Sequence, residues 1–276
     1  MFADYHVHTA FSDDSVYPME QVVRNAIGMG MDEICITDHV DYGIKIDWDC
    51  GETVQYRHGE PLANVDYPKF MAEIERVKAL LGDQIVIRTG MEFGVQQRTI
   101  PQFESLYSRY PFDFIILSIH QVEDKEFWTG DFQRGRTQKE YNDRYYEEMY
   151  AVMQRFRHYS VLGHLDLIAR YDEAGPAPFS MIQPAVTEIL KRAIQDGKGI
   201  EVNTSSHRYG LKDTQPSVDI LKLYRSLGGE IITIGSDSHK PEHLGAYIPE
   251  TQALLRELGY RAFCTFDRMQ PVFHDL

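Results

Sequence analysis

Short apolar runs recur along this chain, each followed by a polar cluster and then by helix punctuation, and that alternation leaves few folds open. The candidate strands are residues 3–8, 33–37, 85–91, 114–119, 160–163, 199–202 and 230–234. Runs such as Ile231-Ile232-Thr233-Ile234 are apolar on both faces, as strands buried in a parallel sheet are. Helix signals lie between them. Pro18 opens a helix that ends near Gly28 or Gly30, and Thr137 with Glu140 forms a capping box before residues 141–156. Ser180 and Gln183 do the same for the next helix. Pro216 precedes a helix stopped by Gly228-Gly229, and Pro249 precedes one stopped by Gly259. Strands alternating with helices run parallel, and 276 residues match one α/β barrel of about 250 residues with a few long loops. The predicted unit is a single domain over residues 1–276, without repeat, low-complexity segment or linker.

Composition limits the partners. With 43% hydrophobic and 25% charged residues the chain reads as globular rather than disordered. A net charge of −14 lacks the basic face that gripping nucleic acid requires, so no nucleic-acid partner is expected. Bound metal ions would still create a local cationic pocket. No run approaches about 18 apolar residues, and the first residues form no targeting segment, so neither a membrane partner nor a secretory signal is expected. Cys35, Cys50 and Cys264 are odd in number and scattered, which points to a reduced, cytoplasmic compartment. Cys35 sits inside an apolar run and reads as a buried small hydrophobe. Nothing in the sequence specifies an oligomeric state.

The chemistry lies in where the histidines fall. His6, His8, His39, His120, His164 and His239 stand at or just past candidate strands, and Asp14, Asp38, Glu92, Asp166, Glu201 and Asp237 occupy similar places. In a parallel barrel every strand points its C-terminal end at one mouth, so these side chains converge on one cleft. Imidazole and carboxylate together suit Zn²⁺, Mn²⁺ or Fe²⁺. In His6-Val7-His8, strand alternation places both imidazoles on one face, within reach of one ion, and Asp237-Ser238-His239 repeats the spacing. A lone histidine at a strand end is more often a hydrogen-bonded structural residue than a ligand. Six at the same end, interleaved with acids, resist that explanation. Asp38 and Asp166 divide evenly between supporting the adjoining histidines and a structural role. His58, His158, His243 and His274 read as surface residues, and His207 stays open.

Two connections exceed simple turns: residues 40–64, with Trp48, Tyr56 and Arg57, and residues 121–136, with Trp128. Both follow strands and should overhang the mouth, and their acidic, aromatic character suits a cationic amine and an imidazole ring better than a polyanion. Arg170 and Arg208 follow strands near the same mouth. Each suits a bidentate pair with a phosphate, or equally an ion pair with a local carboxylate. The tyrosines and acids of residues 141–150 describe a packed amphipathic helix. Nucleophile-elbow, P-loop and dinucleotide-binding motifs are absent from the sequence.

The motifs His6-Val7-His8-Thr9 with Ser12 and Asp14, Thr37-Asp38-His39, Gly90-Met91-Glu92, Ser118-Ile119-His120, Gly163-His164-Leu165-Asp166 and Gly235-Ser236-Asp237-Ser238-His239 resemble the PHP (polymerase and histidinol phosphatase) superfamily. Asn203-Thr204-Ser205 with Arg208, and Gly163–Ile168 before Arg170, are most similar to its stand-alone histidinol-phosphatases. The resemblance implies a distorted (β/α)7 barrel with a trinuclear site, of which two to three divalent ions (Zn, Mn or Fe) are expected to be bound. By position, His6, His8, Glu92 and Asp237 would hold one ion, Glu92, His120 and His164 a second, and Asp14, His39 and His239 a third. Family members often carry histidine in place of Asp14, and a glycine with an apolar residue in place of Ser206-His207. The implied activity is hydrolysis of a small phosphate ester, L-histidinol phosphate, in histidine biosynthesis. No catalytic side chain beyond the ligands is implied; a hydroxide bridging the metals would be the nucleophile. The alternatives are a phosphoesterase for another small phosphate or for nucleic acid, and a metal-holding domain without turnover.

Overall fold

The computed structural model describes residues 1–57 and 59–276, so the surface position read for His58 lies outside the described residues. In chain order the elements are β1 (Ala3–Val7), α1 (Met19–Gly28), β2 (Glu33–Ile36), β3 (His39–Val40), β4 (Tyr56–Arg57), β5 (Glu60–Pro61), α2 (Tyr67–Leu81), β6 (Val86–Gly94), α3 (Ile100–Arg109) and β7 (Phe114–Ser118). They continue with β8 (Gln121–Val122), β9 (Lys125–Glu126), α4 (Gln138–Arg155), β10 (Val161–Leu162), α5 (Phe179–Gln195), β11 (Gly199–Asn203), α6 (Val218–Ser226), β12 (Ile232–Gly235), α7 (Ile248–Glu257), β13 (Ala262–Asp267) and β14 (Gln270–Asp275).

All seven candidate strands form, and they pair in parallel in the order β1-β2-β6-β7-β10-β11-β12. The ring closes where Val7 meets Ser238: His8 N donates to Ser238 O at 2.8 Å, and Ser238 N donates to His6 O at 3.2 Å. This is a distorted (β/α)7 barrel. Its strands range from the two residues of β10 to the nine of β6, and the β1–β2 register shifts between Asp4 and Val7. β6 runs past the predicted strand end, so Glu92 lies inside it, paired with Ile116 on one side and His39 on the other. In the ring strands Ile34, Ile36, Ile115, Ile116, Ile200 and Val202 are completely buried, as a sheet covered by helices requires.

Two local expectations are corrected. Ser180 and Gln183 form no capping box, because α5 starts at Phe179 directly after Pro178, whose extended backbone and missing N–H make it the boundary. Pro249 stands within the first turn of α7 rather than before it, where its absent N–H costs nothing. The hairpin β13–β14, which the sequence reading leaves unassigned, lies outside the ring. Phe266 N donates to Tyr5 Oη at 2.7 Å, and the Phe266 ring packs 5.0 Å from Phe114. By contrast the Thr137–Glu140 capping box forms as read, and Cys35 is buried. Among the described residues no helix is long and apolar enough to cross a membrane.

Candidate metal centre

Glu92 is the hub of the barrel mouth. Its Oε1 lies 2.7 Å from His164 Nε2 and 3.0 Å from His120 Nε2, and it accepts from Ser118 Oγ at 2.7 Å. Its Oε2 lies 2.8 Å from His39 Nδ1, 3.2 Å from His6 Nε2 and 3.6 Å from His8 Nε2. Asp237 stands on the far side, with Oδ1 at 3.5 Å from His8 Nε2 and from His239 Nδ1 and 3.8 Å from His6 Nε2. Asp14 closes the outer rim, its Oδ2 3.1 Å from His239 Nε2 and 3.6 Å from His39 Nε2. All nine residues named as candidate ligands are thus neighbours in one cluster.

The grouping differs in detail from the sequence reading. His6, His8 and Asp237 form one set of converging donors and His6, Glu92 and His164 another, while His8 joins His39 and His239. The His8 ring stacks 4.1 Å from both of those histidines. Asp237 and His164 reach inward for a reason that strand alternation does not supply. Each follows the end of its strand with a positive φ, 55° for Asp237 and 23° for His164, a backbone state that a tightly packed site holds at some cost. Gly235 keeps the approach open, since a Cβ there would collide with His6.

Donor chemistry and electrostatics fit divalent cations. His6 Nε2, His8 Nε2, His39 Nδ1 and Glu92 Oε2 are buried and face one another without an aligned hydrogen bond, an arrangement that another ligand taking their lone pairs would relieve. Burial alone would raise the Glu92 carboxyl, but His6, His120 and His39 outweigh it and hold it well below the usual range. Asp237 behaves likewise, burial being outweighed by His6, His8 and His239. Burial, with His239 and His39 beside it, pushes His8 well below the ordinary imidazole value. A neutral imidazole and ionised carboxylates are the forms that bind metal.

Behind the donors stands a second layer. Glu201 Oε1 lies 2.5 Å from His6 Nδ1, and its Oε2 accepts from His164 N at 2.8 Å. Asp38 accepts from Thr9 N, Thr9 Oγ1 and Ser12 Oγ at 2.6, 2.8 and 2.7 Å, and Ser12 Oγ lies 3.2 Å from His8 Nδ1. Asp38 therefore supports the His8 loop. Asp166 faces away, accepting from Ser217 N at 3.0 Å. Asp41, absent from the sequence reading, holds His120 Nδ1 at 2.7 Å. Its position in His39-Val40-Asp41 repeats the alternate spacing that drew attention to His6-Val7-His8, so the signal was available.

A cavity of about 470 Å³ opens over the cluster, lined also by Arg57, Glu126, Trp128, Tyr171, Arg170 and Arg208. Both arginines reach it. Arg208 donates to Ser236 O and Asp237 O, each at 2.7 Å; Arg170 donates to Ser205 Oγ at 2.6 Å and lies over the Tyr209 ring at 4.1 Å. His243, read as a surface residue, also lines the cavity, carried there by the turn after β12. His158 and His274 lie elsewhere, against Glu104 and Thr265. His207 turns outward and stacks on Tyr247, and Trp48 lines a separate cavity of about 440 Å³.

A parallel barrel whose mouth gathers histidines and carboxylates around a buried glutamate, beneath an arginine-lined cavity, defines the class of metal-centred barrel proteins. Residues 4–205 match the PHP domain, and the chain belongs to the PHP family. Over 273 residues, 97% of this chain and 95% of the relative, it is 31% identical to the histidinol-phosphatase of Lactococcus lactis. It is 27% identical to a probable histidinol-phosphatase of Clostridium acetobutylicum, covering 89% of each. The fold superposes on the crystal structure of the Lactococcus lactis histidinol phosphate phosphatase complexed with zinc, L-histidinol and phosphate. That match has a TM-score of 0.82 and 29% identity, over 98% of both chains.

Proposed function

We propose that this chain is a metal-dependent phosphomonoesterase that hydrolyses L-histidinol phosphate to L-histidinol and phosphate, a step of histidine biosynthesis. The observation that carries the reading is the likeness, over nearly the whole chain, to a phosphatase solved with zinc, L-histidinol and phosphate. The residues of the mouth support it. His6, His8, Glu92 and Asp237 would hold one divalent ion, Glu92, His120 and His164 a second, and Asp14, His39 and His239 a third, with zinc, manganese or iron as the metal. Bound ions supply neutralisation of the phosphate and activation of water as nucleophile.

The chain's own residues bind and orient. Arg170 and Arg208 would grip phosphate oxygens, and their guanidinium groups would offset charge that develops as the bond from phosphorus to the leaving oxygen breaks. Arg208 is held ready by the carbonyls of Ser236 and Asp237. Trp128 and Tyr171, the latter beside Arg170, stand with ring centroids 6.1 Å apart, and the Glu126 carboxylate in the same lining is paired with Arg57. The two rings suit an imidazole. The small-molecule ester is the proposed partner.

A panel of phosphomonoesters assayed with metal-reconstituted protein tests this. Histidinol phosphate should be hydrolysed with a kcat/KM far above those of sugar phosphates and of single-stranded DNA. Similar values across the three would overturn the assignment.

A further inference from the structure

Asp41 and Lys45 form a buried relay that leads away from the metal cluster. Asp41 Oδ1 lies 2.7 Å from His120 Nδ1, and its Oδ2 accepts from Lys45 Nζ at 3.0 Å. Lys45 Nζ also donates to Asp13 Oδ1 at 2.7 Å. The backbone of Asp41 is fixed as well: its N donates to Asn64 Oδ1 at 2.9 Å, and Asn64 Nδ2 donates to Asp47 Oδ1 at 3.0 Å. Tyr42 Oη and Tyr67 Oη donate to the same Asp47 carboxylate at 2.8 and 2.9 Å, tying the loop to α2. Asp41, Lys45 and Asn64 are all buried. Gly94 completes the fit, since any side chain there would overlap Asp41 Oδ1 and press on His120.

His39, Asp41 and His120 converge closely enough to be read as a three-ligand group. The contacts argue otherwise. Both Asp41 oxygens already have partners, whereas His120 presents its other nitrogen, Nε2, to Glu92 at 3.0 Å. A carboxylate that takes the Nδ1–H of a histidine fixes its tautomer and ring orientation and directs the Nε2 lone pair to a metal.

We propose that Asp41, held in place by Lys45, is the positioning residue of His120, and that the loop of residues 40–64 is thereby a structural arm of the metal centre as well as a wall of the cavity. This rests on His120 being a ligand, as assigned above, and not on the identity of the substrate. Removing the carboxylate leaves His120 free to turn, so the ion it holds is released more easily. Lys45 has the same effect at one remove, because without it Asp41 keeps only its backbone anchor and His120.

The test uses the full chain loaded with zinc and titrated with a chelator, with no substrate present. Asp41→Asn should release its most weakly held zinc about 10- to 100-fold more readily than the parent protein. Lys45→Met should shift in the same direction by less, and Lys45→Arg, which keeps a cation between the carboxylates, should recover most of the loss. In cobalt-loaded protein the visible spectrum of Asp41→Asn should change, since one imidazole no longer holds its orientation. Parental zinc retention and an unchanged cobalt spectrum in folded Asp41→Asn would overturn the proposal. So would a fall in the melting temperature of the metal-free protein with zinc retention intact. If Asp41→Asn does not fold, Lys45→Met decides by the same two readouts. Because neither readout involves turnover, failure of the substrate assignment would leave this result standing.

Discussion

Oε1 of Glu201 lies 2.5 Å from Nδ1 of His6, with both side chains buried. Glu201 also accepts from the backbone N of His164, so a single carboxylate on β11 ties a residue of β1 to one that follows β10. Orienting one proposed ligand while pinning the backbone of another is a role of the assembled barrel. Glu201→Ala should therefore weaken metal binding about 10- to 100-fold, a range typical when such supporting carboxylates are lost. Elemental analysis after dialysis against graded chelator would measure it; unchanged metal content would remove Glu201 from the centre.

Glu92→Ala should do more damage than loss of any other proposed ligand. Both Glu92 oxygens face histidines on separate sides of the cluster, so its removal disconnects at least two ion positions. The purified, reconstituted parent protein should carry two to three ions per chain and the variant markedly fewer. Fewer than one ion per chain in fully active parent protein would contradict the ligand set.

Arg208→Ala should lower kcat/KM about 100-fold, or about 2.7 kcal/mol, if the guanidinium acts as other preorganised donors do. Metal content should stay at the parental level, because arginine is not a ligand. Arg208 also donates to two carbonyls, so a purely architectural role would instead depress the melting temperature and leave the kinetics of the surviving protein near normal. Kinetics and thermal melting on one preparation separate these outcomes.

The stabilisation conferred by metal should grow with pH. Burial would lower the His120 pKa, but Glu92 and Asp41 outweigh it, and in the metal-free protein it stands at about 9 against an ordinary 6.5. The folded state therefore binds this proton more tightly than the unfolded chain. That contribution is complete below about 6.5 and is lost as pH rises through about 9. A metal ion must displace the same proton, so its binding strengthens over the same interval. The gap in melting temperature between zinc-loaded and metal-free protein should widen from pH 6.5 to pH 9; a constant gap would argue against His120 as a ligand.

The seven barrel strands were legible because a strand buried on both faces must be apolar almost throughout, and that leaves a local mark in runs such as Phe114–Ser118. The candidate ligands were legible for a related reason: parallel strands share one direction, so residues at their ends share one mouth. What the sequence did not carry is anything set by contacts between distant segments. His243 looks like any polar turn residue until the turn after β12 is placed at the cavity. Asp41 shows the alternate spacing of a ligand, yet its contacts with Lys45 and His120 make it a support. The β13–β14 hairpin has no partner strand in the ring to announce it, and its place beside Tyr5 and Phe114 depends on packing across more than a hundred residues of chain. Local periodicity and burial fixed which residues form strands and which end at the mouth. Only the closed barrel decided which atoms face one another, because separations of about 3 Å between side chains 28 to 195 residues apart are a property of the assembled ring.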